Sequence, residues 1–348
     1  MRIAVVNTQV PFTRGGAETH ASNLLAALQR HGHEAEQVSI PFNWRNPWSV
    51  LDHLMATRLL DLEEVNGKTV DRVIGLRFPA YHIRHPNKVL WIIHQYRSAY
   101  DFWDHPQSDL PRQEGGRSVR DSVRFLERRL FNECKRIYAN SQNVSNRLRR
   151  FCGHDAPPLY HPPALAPLMA PRDPEPYFLS PGRVETMKRP DFVIKSLSLT
   201  QQPVRVRFVG SVTDPEFEKS LKRMVEQRGL ADRVSWEGFV PDETLAELYG
   251  RARAVVFAPL DEDYGYVSLE AALSRKPVLS TDASGGVLEF VNEATGWVSE
   301  DSPQAFAQAM DEAWSEPRRC RSKGDNAYDA YQSKKISWDH VAATLTAP

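Results

Sequence analysis

Long apolar runs are missing from this sequence of 348 residues. Stretches such as residues 89–93 are strand-sized, far short of the roughly 20 residues that a membrane-spanning helix needs, so no helix is expected to cross a bilayer. Cysteine is scarce: Cys134, Cys152 and Cys320 are odd in number, far apart and without metal or redox spacing. That pattern fits a reducing compartment and a metal-free chain. Net charge is also absent, with 44 Lys+Arg against 44 Asp+Glu, and no nucleic-acid partner is expected. Residues 3–6 after Met1-Arg2 are too few for the apolar region of a signal peptide, and polar Asn7, Thr8 and Gln9 follow them. They read instead as a first strand, and the chain is expected to be cytoplasmic.

What is present is ordinary globular material, 41% hydrophobic and 25% charged, enough for a core in each of two domains of roughly 150 to 170 residues. The neutral total hides an asymmetry. Residues 1–168 carry 22 Lys+Arg against 16 Asp+Glu, a balance of +6, and residues 169–348 carry 22 against 28, a balance of −6. A basic half suits an anionic partner such as a membrane surface or a lipid-linked phosphate; equally, the two halves attract each other.

Strands are expected at residues 2–6, 34–40, 72–75, 89–93 and 137–140, separated by helical segments such as 17–30, whose Ala21, Leu24, Leu25 and Leu28 keep helical spacing. Eight prolines between 155 and 176 make a linker. A second series follows, with strands at 177–180, 204–209, 233–236, 254–257, 277–280 and 296–298 and helices at 215–228 and 242–251. Strands alternating with helices imply parallel sheets wrapped on both faces. The expected fold is α/β, two Rossmann-like doubly wound domains facing across a cleft. The expected domains are 1–165 and 166–333, with 334–348 packing back on the first.

The richest segment follows the strand at 254–257. Gly265 opens a helix whose free N–H groups and positive dipole end could seat a diphosphate at Gly265, Tyr266 and Val267, with Tyr264 beside them. Carboxylates next to such a seat need neutral partners, and sugar hydroxyls are the obvious ones: Glu262 toward a transferred sugar, Glu270 toward a ribose diol. Composition alone reads the same stretch as a solvated acidic loop. Gly15 and Gly16 break the chain before the first helix and permit close approach to a ligand, but they do not form the Gly-X-Gly-X-X-Gly of nicotinamide enzymes. His94 ends an apolar strand, where sheet geometry faces a ligand site or a backbone group satisfies it. The nearest approach to an Asp-X-Asp metal loop is Asp261-Glu262-Asp263, whose successive side chains need not converge on one ion.

The segment with Glu262 and Glu270 resembles the Glu-seven-residues-Glu motif of the retaining family 4 (group 1) glycosyltransferases of GT-B fold. Residues 180–190, which hold Arg183 and Lys188, resemble that family's donor-phosphate loop. Residues 285–289 and 295–298 resemble its later glycine loop, and Gly238-Phe239-Val240 its base-holding loop. Gly15-Gly16-Ala17-Glu18, Trp91 to His94 and Asn140-Ser141-Gln142 resemble its N-domain signatures, although Gln95 stands where the family often has Asp. The resemblance implies transfer, with retention, of a hexose-type sugar from a UDP- or GDP-linked donor to a hydroxyl of a glycan or lipid-linked acceptor, in polysaccharide or glycoconjugate assembly. It makes 1–165 the acceptor side and 166–333 the nucleotide-sugar side and implies no further cofactor; with no metal-ligand constellation in the sequence, catalysis is expected to be metal-independent. Glu262, His94, Arg183 and Lys188 would serve the chemistry, the two cations by stabilising charge on the departing diphosphate. A nucleotide-sugar epimerase of the same fold and a non-catalytic nucleotide-sugar-binding protein stay open. Arginines at 117, 120, 124, 128 and 129, with Trp44 and Trp48 flanking an apolar helix, suit peripheral contact with an anionic membrane as well as an ordinary solvated face.

Overall fold

A computed structural model describes residues 1–12 and 15–348. The chain forms two compact units, one of residues 1–161 and 337–348 and the other of residues 162–336. The first division falls inside the proline-dense stretch.

The first unit contains β1 (Arg2–Gln9), α1 (Gly16–Arg30), β2 (Glu34–Pro41), α2 (Pro47–Leu59), β3 (Glu64–Val65), β4 (Lys68–Thr69), β5 (Arg72–Gly75), β6 (Lys88–Ile92), α3 (Gly116–Phe131), β7 (Arg136–Ala139) and α4 (Gln142–Cys152). Its five-stranded sheet runs β2-β1-β5-β6-β7, and every pair is parallel. The order reverses between β1 and β5, the switch point at which such sheets bind ligands. β1 is longer than expected. Asn7 and Thr8 are buried and their register with β2 continues to Gln9, so polar residues extend a strand whose backbone is paired. The antiparallel pair β3 and β4 was not foreseen. Its turn is Asn66-Gly67, both at positive φ, a standard sequence signal for a two-residue hairpin.

The last helix, α11 (Trp338–Thr346), belongs to this unit. Val341, Ala342 and Leu345 are fully buried in one cluster with Leu24, Leu28 and Trp91, at roughly 1.5–3 kcal/mol for each large side chain. Ser337 caps the helix through its side chain, and Trp338 packs against His20, Trp91 and His161. At the other end the buried Arg72 guanidinium donates to the carbonyls of Leu345 and Ala347, 2.8 Å each. A cation on the terminal carbonyls offsets the helix dipole.

The second unit contains β8 (Phe178–Pro181), α5 (Pro190–Leu197), β9 (Val206–Val209), α6 (Pro215–Gln227), β10 (Val234–Gly238), α7 (Asp242–Arg251), β11 (Ala254–Val256), α8 (Tyr266–Leu273), β12 (Val278–Thr281), β13 (Gly296–Ser299), α9 (Pro303–Ser315) and α10 (Pro317–Ser333). Its parallel sheet runs β10-β9-β8-β11-β12-β13. The central strands β11 and β12 are short runs buried on both faces, as helices on each side require, while the edge strand β10 is partly exposed. This order reverses between β8 and β11. The loops that leave those two strands are therefore brought side by side.

Candidate active site

Those two loops carry the residues singled out above. After β8, Gly182 turns at φ +130° and the chain pairs with the loop after β9: Val209 accepts from Gly182 and Ser211 from Val184, 2.9 Å each. Gly210 is there because nothing larger fits, since a Cβ would meet the Gly182 carbonyl at 2.0 Å. A short 3-10 turn, Thr186–Lys188, then carries Lys188, and the side chain of Lys188 lies over the Phe257 ring. Met187 accepts from the Leu260 N–H across the switch point, at 3.1 Å.

The loop after β11 holds Asp261 at φ +45°, a left-handed conformation that costs a non-glycine residue about 1–2 kcal/mol. The strain is held by the loop after β12. Ala283 accepts from Asp261 at 2.8 Å, and Glu262 and Gly285 form a parallel bridge. Gly286 donates to the Glu262 carbonyl at 2.8 Å, and a Cβ on Gly286 would meet the Asp263 carbonyl at 2.5 Å. Gly265, at φ +76°, then opens α8 against Val287. The two glycine-bearing loops are thus the mould of the acidic loop.

Lys188 Nζ reaches Glu262 Oε2 at 2.5 Å, so the switch point joins the cation and the carboxylate. Arg183 pairs with Glu185 at 3.3 Å and leaves half of its side chain in solvent. Glu270 lies further along α8, half-buried, and accepts from the Tyr249 hydroxyl at 2.7 Å. Burial raises its carboxyl to about 7; Tyr249 opposes the rise and Asp242 adds to it. Burial, then Glu270, then Glu262 push the Tyr266 phenol upward, so that ring stands in the field of both carboxylates. Tyr264 is buried and packs edge-on against Tyr266 and Phe290. Val267 is half-buried on the first turn of α8. Gly238 ends β10 at φ +67° and accepts from Gly210, while Phe239 beside it is 81% exposed and Val240 packs on the core.

In the first unit, Gly15 stands outside α1 in extended conformation and Gly16 begins the helix. Glu18 accepts from the Gly15 N–H at 2.9 Å and pairs with Arg77 at 3.0 Å, which joins the loop after β5 to the start of α1. Residues 13 and 14, between the first strand and this glycine pair, lie outside the described residues. His94 follows β6 and its Nδ1–H donates to the Gln95 carbonyl at 2.9 Å. Gln95, buried, donates through Nε2 to Glu127 Oε2 at 2.8 Å. Glu127 is fully buried and also accepts from Tyr81 and Tyr100. Sequence reading missed Glu127, Tyr249 and Glu185. Each sits where a heptad-like or loop pattern shows only an ordinary helix or loop residue, and Gln95 at the unusual position after His94 was the one available signal.

Among the described residues, no group of three or more His, Cys, Asp or Glu is placed to share a metal ion, and no helix is long and apolar enough to cross a membrane. Residues 169–330 match the family model of glycosyl transferases group 1. A D-inositol 3-phosphate glycosyltransferase of Gordonia bronchialis is 27% identical over 177 residues, 47% of this chain and 38% of that protein. An uncharacterized glycosyltransferase of Methanocaldococcus jannaschii is 30% identical over 49% of this chain and 44% of that one. The matched stretch therefore spans about two fifths of these curated relatives. Among solved structures, sucrose-phosphate synthase of Thermosynechococcus elongatus aligns with TM-score 0.78 at 16% identity over 99% of this chain and 97% of that one. The Anabaena protein Alr3699/HepE, in complex with UDP and glucose, aligns with TM-score 0.71 at 17% identity over the whole of both chains. The two doubly wound units are those of the GT-B glycosyltransferase structures. The matched region includes the second-unit site residues described above, from Gly182 to Phe290.

Proposed function

We propose that the protein is a retaining, metal-independent glycosyltransferase that moves a hexose-type sugar from a UDP- or GDP-linked donor to a hydroxyl of a glycan or lipid-linked acceptor. The observation that carries the reading is the meeting of Lys188 and Glu262 where the second sheet reverses its strand order. A departing nucleoside diphosphate gains negative charge, and Lys188, Arg183 and the first turn of α8 are the groups that would receive it. With Lys188 turned to phosphate, Glu262 would accept from hydroxyls of the transferred sugar. Glu270 would bind the ribose diol and Phe239 would lie against the base. In the first unit, His94 would touch the sugar, its tautomer set by the Gln95 carbonyl.

The resemblance of this site to retaining enzymes supports front-face substitution, in which the leaving diphosphate itself helps to remove the acceptor proton and no carboxylate becomes a nucleophile. Polysaccharide or glycoconjugate assembly at the cytoplasmic face of a membrane is the setting that the acceptor class implies. α2 and α3 support that setting. Trp48, Met55 and Leu59 are exposed on α2, Phe125 on α3, and Arg117, Arg128 and Arg129 form an exposed basic face. Arg120 and Arg124 instead turn inward, to Trp103 and to the Ala99 carbonyl.

The test is to incubate the protein with a panel of UDP- and GDP-sugars and candidate acceptors. Acceptor-dependent release of nucleotide, with the product linkage keeping the donor's anomeric configuration in the NMR spectrum, is the expected result. Interconversion of donor sugars without nucleotide release would point to an epimerase and overturn this reading.

A further inference from the structure

A cavity of about 900 Å³ opens in the second unit, away from the loops described above. It lies at the other end of the same strands. Arg253 immediately precedes β11 and Lys276 precedes β12, whereas the Glu262 loop follows β11. From Lys276 to Thr281 the extended chain alone covers about 17 Å. The volume is within the range of small-molecule sites, roughly 300–1,000 Å³.

Its lining is cationic in a half of the chain that is otherwise acidic. Arg172, Arg253, Arg275, Lys276, Arg318 and Arg321 face it, with two carboxylates, Asp173 and Asp325. Arg275 is neutralised by Asp325 at 2.8 Å. The other five cations have no carboxylate within ion-pair distance among the described residues. Arg253 donates to the Trp314 carbonyl, and Lys276 Nζ, on a buried residue, donates to the Arg172 carbonyl at 3.2 Å. Those bonds place the cations without discharging them. Burial, and then Arg321, push Lys276 down to about 8, while Asp173 works in the opposite direction; a bound anion would act in the same sense as Asp173 and favour the charged ammonium.

The walls are fixed by close packing. Gly324 of α10 lies so near the Arg275 carbonyl that a Cβ would meet it at 2.1 Å. The Gly250 carbonyl accepts from the Arg172 N–H at 3.0 Å, which ties the linker to the end of α7. Pro171, Pro174 and Pro317 line the cavity with rings whose φ is preset. Pro317 also begins the 17-residue helix α10, so the first-turn N–H groups and the positive dipole end add to the side-chain charge.

We propose that this cavity is a second ligand site, which binds a phosphate-bearing molecule through Arg172, Lys276, Arg318, Arg321 and the start of α10. Guanidinium groups select phosphate over a simple halide by paired N–H donors. The site is independent of the donor loops and of the proposed transfer reaction.

Isothermal titration of inorganic tripolyphosphate at constant ionic strength tests it. The wild-type chain is expected to show a saturable site that weakens at least tenfold in Arg172→Ser/Arg321→Ser, two exposed positions, and stays within twofold in Lys188→Ala. Sedimentation with vesicles containing phosphatidate distinguishes the source of the phosphate. Vesicle binding lost in the same double variant assigns a lipid headgroup; binding of tripolyphosphate alone assigns a soluble ligand. No saturable binding at millimolar tripolyphosphate, or binding that is lost in Lys188→Ala and kept in the double variant, overturns the proposal. Unchanged melting of the double variant confirms that it is folded in either case.

Discussion

Lys188 Nζ and Glu262 Oε2 are 2.5 Å apart, across the point where the second sheet changes direction. Both side chains are about one-fifth exposed, and an ion pair in such a setting contributes at most about 1 kcal/mol to stability. Its value lies in charge placement. Lys188→Ala and Glu262→Gln should each lower kcat/KM for sugar transfer by about 10²–10³-fold. The melting temperature should fall by no more than about 2–4 °C. Steady-state nucleotide release and a thermal melt on the same preparations check both halves. Wild-type turnover in either variant would remove these residues from the chemistry.

The burial of Glu270 predicts a pH dependence of stability. An ordinary carboxyl ionises near 4.5, whereas burial holds Glu270 at about 7. Between those values the unfolded chain has released the proton that the folded chain keeps. Stability therefore falls as pH rises from about 4.5 to about 7 and is level above, by at most ~3 kcal/mol. Glu270→Gln removes the titration, so its urea midpoints at pH 5 and pH 8 should differ less than those of the wild type. An identical difference in both proteins would show that Glu270 is not the group responsible.

Glycine substitutions separate the mould from its neighbours. Gly229 is at φ +65° with open space at its Cβ position, so Gly229→Ala costs only the left-handed conformation, about 1–2 kcal/mol. Gly210→Ala adds the clash with the Gly182 carbonyl, about 1–3 kcal/mol more. It also displaces the backbone that presents Arg183. Gly210→Ala should have the lower melting temperature of the two and the weaker binding of UDP or GDP by calorimetry, with Gly229→Ala binding as the wild type does. Equal affinity in both would mean that the Gly182 and Gly210 loops do not shape the donor seat.

The doubly wound architecture was legible because buried parallel strands leave continuous apolar runs such as residues 89–92, and because glycine and proline mark the strand ends. The acidic loop was legible as a motif, yet its shape was not. Asp261 is left-handed, and Glu262 bridges to Gly285, relations between segments more than twenty residues apart that no local pattern records. The partners of Glu270 and Gln95 were hidden for the same reason. Tyr249 and Glu127 read as core and surface positions of their own helices, and only tertiary packing turns a charged residue such as Glu127 inward to meet Tyr81, Tyr100 and Gln95. Asn66-Gly67 is different, since a hairpin signal was present and went unread.

The exposed faces of α2 and α3 make the membrane reading testable. Leu59 is 80% exposed and Met55 49%, so neither supports the core, and their apolar area would be buried only by an external apolar phase. Arg128 and Arg129 on α3 each add about 1 kcal/mol near an anionic surface, a contribution screened by salt. The protein should sediment with vesicles rich in anionic lipid more than with neutral vesicles. Met55→Ser/Leu59→Ser should reduce binding to both, because it removes the insertion term. Arg128→Ser/Arg129→Ser should reduce only the anionic preference, by about tenfold or more, and should flatten its dependence on sodium chloride. If both double variants bind as the wild type does, the basic and apolar faces of these helices are solvated surface and the membrane reading fails.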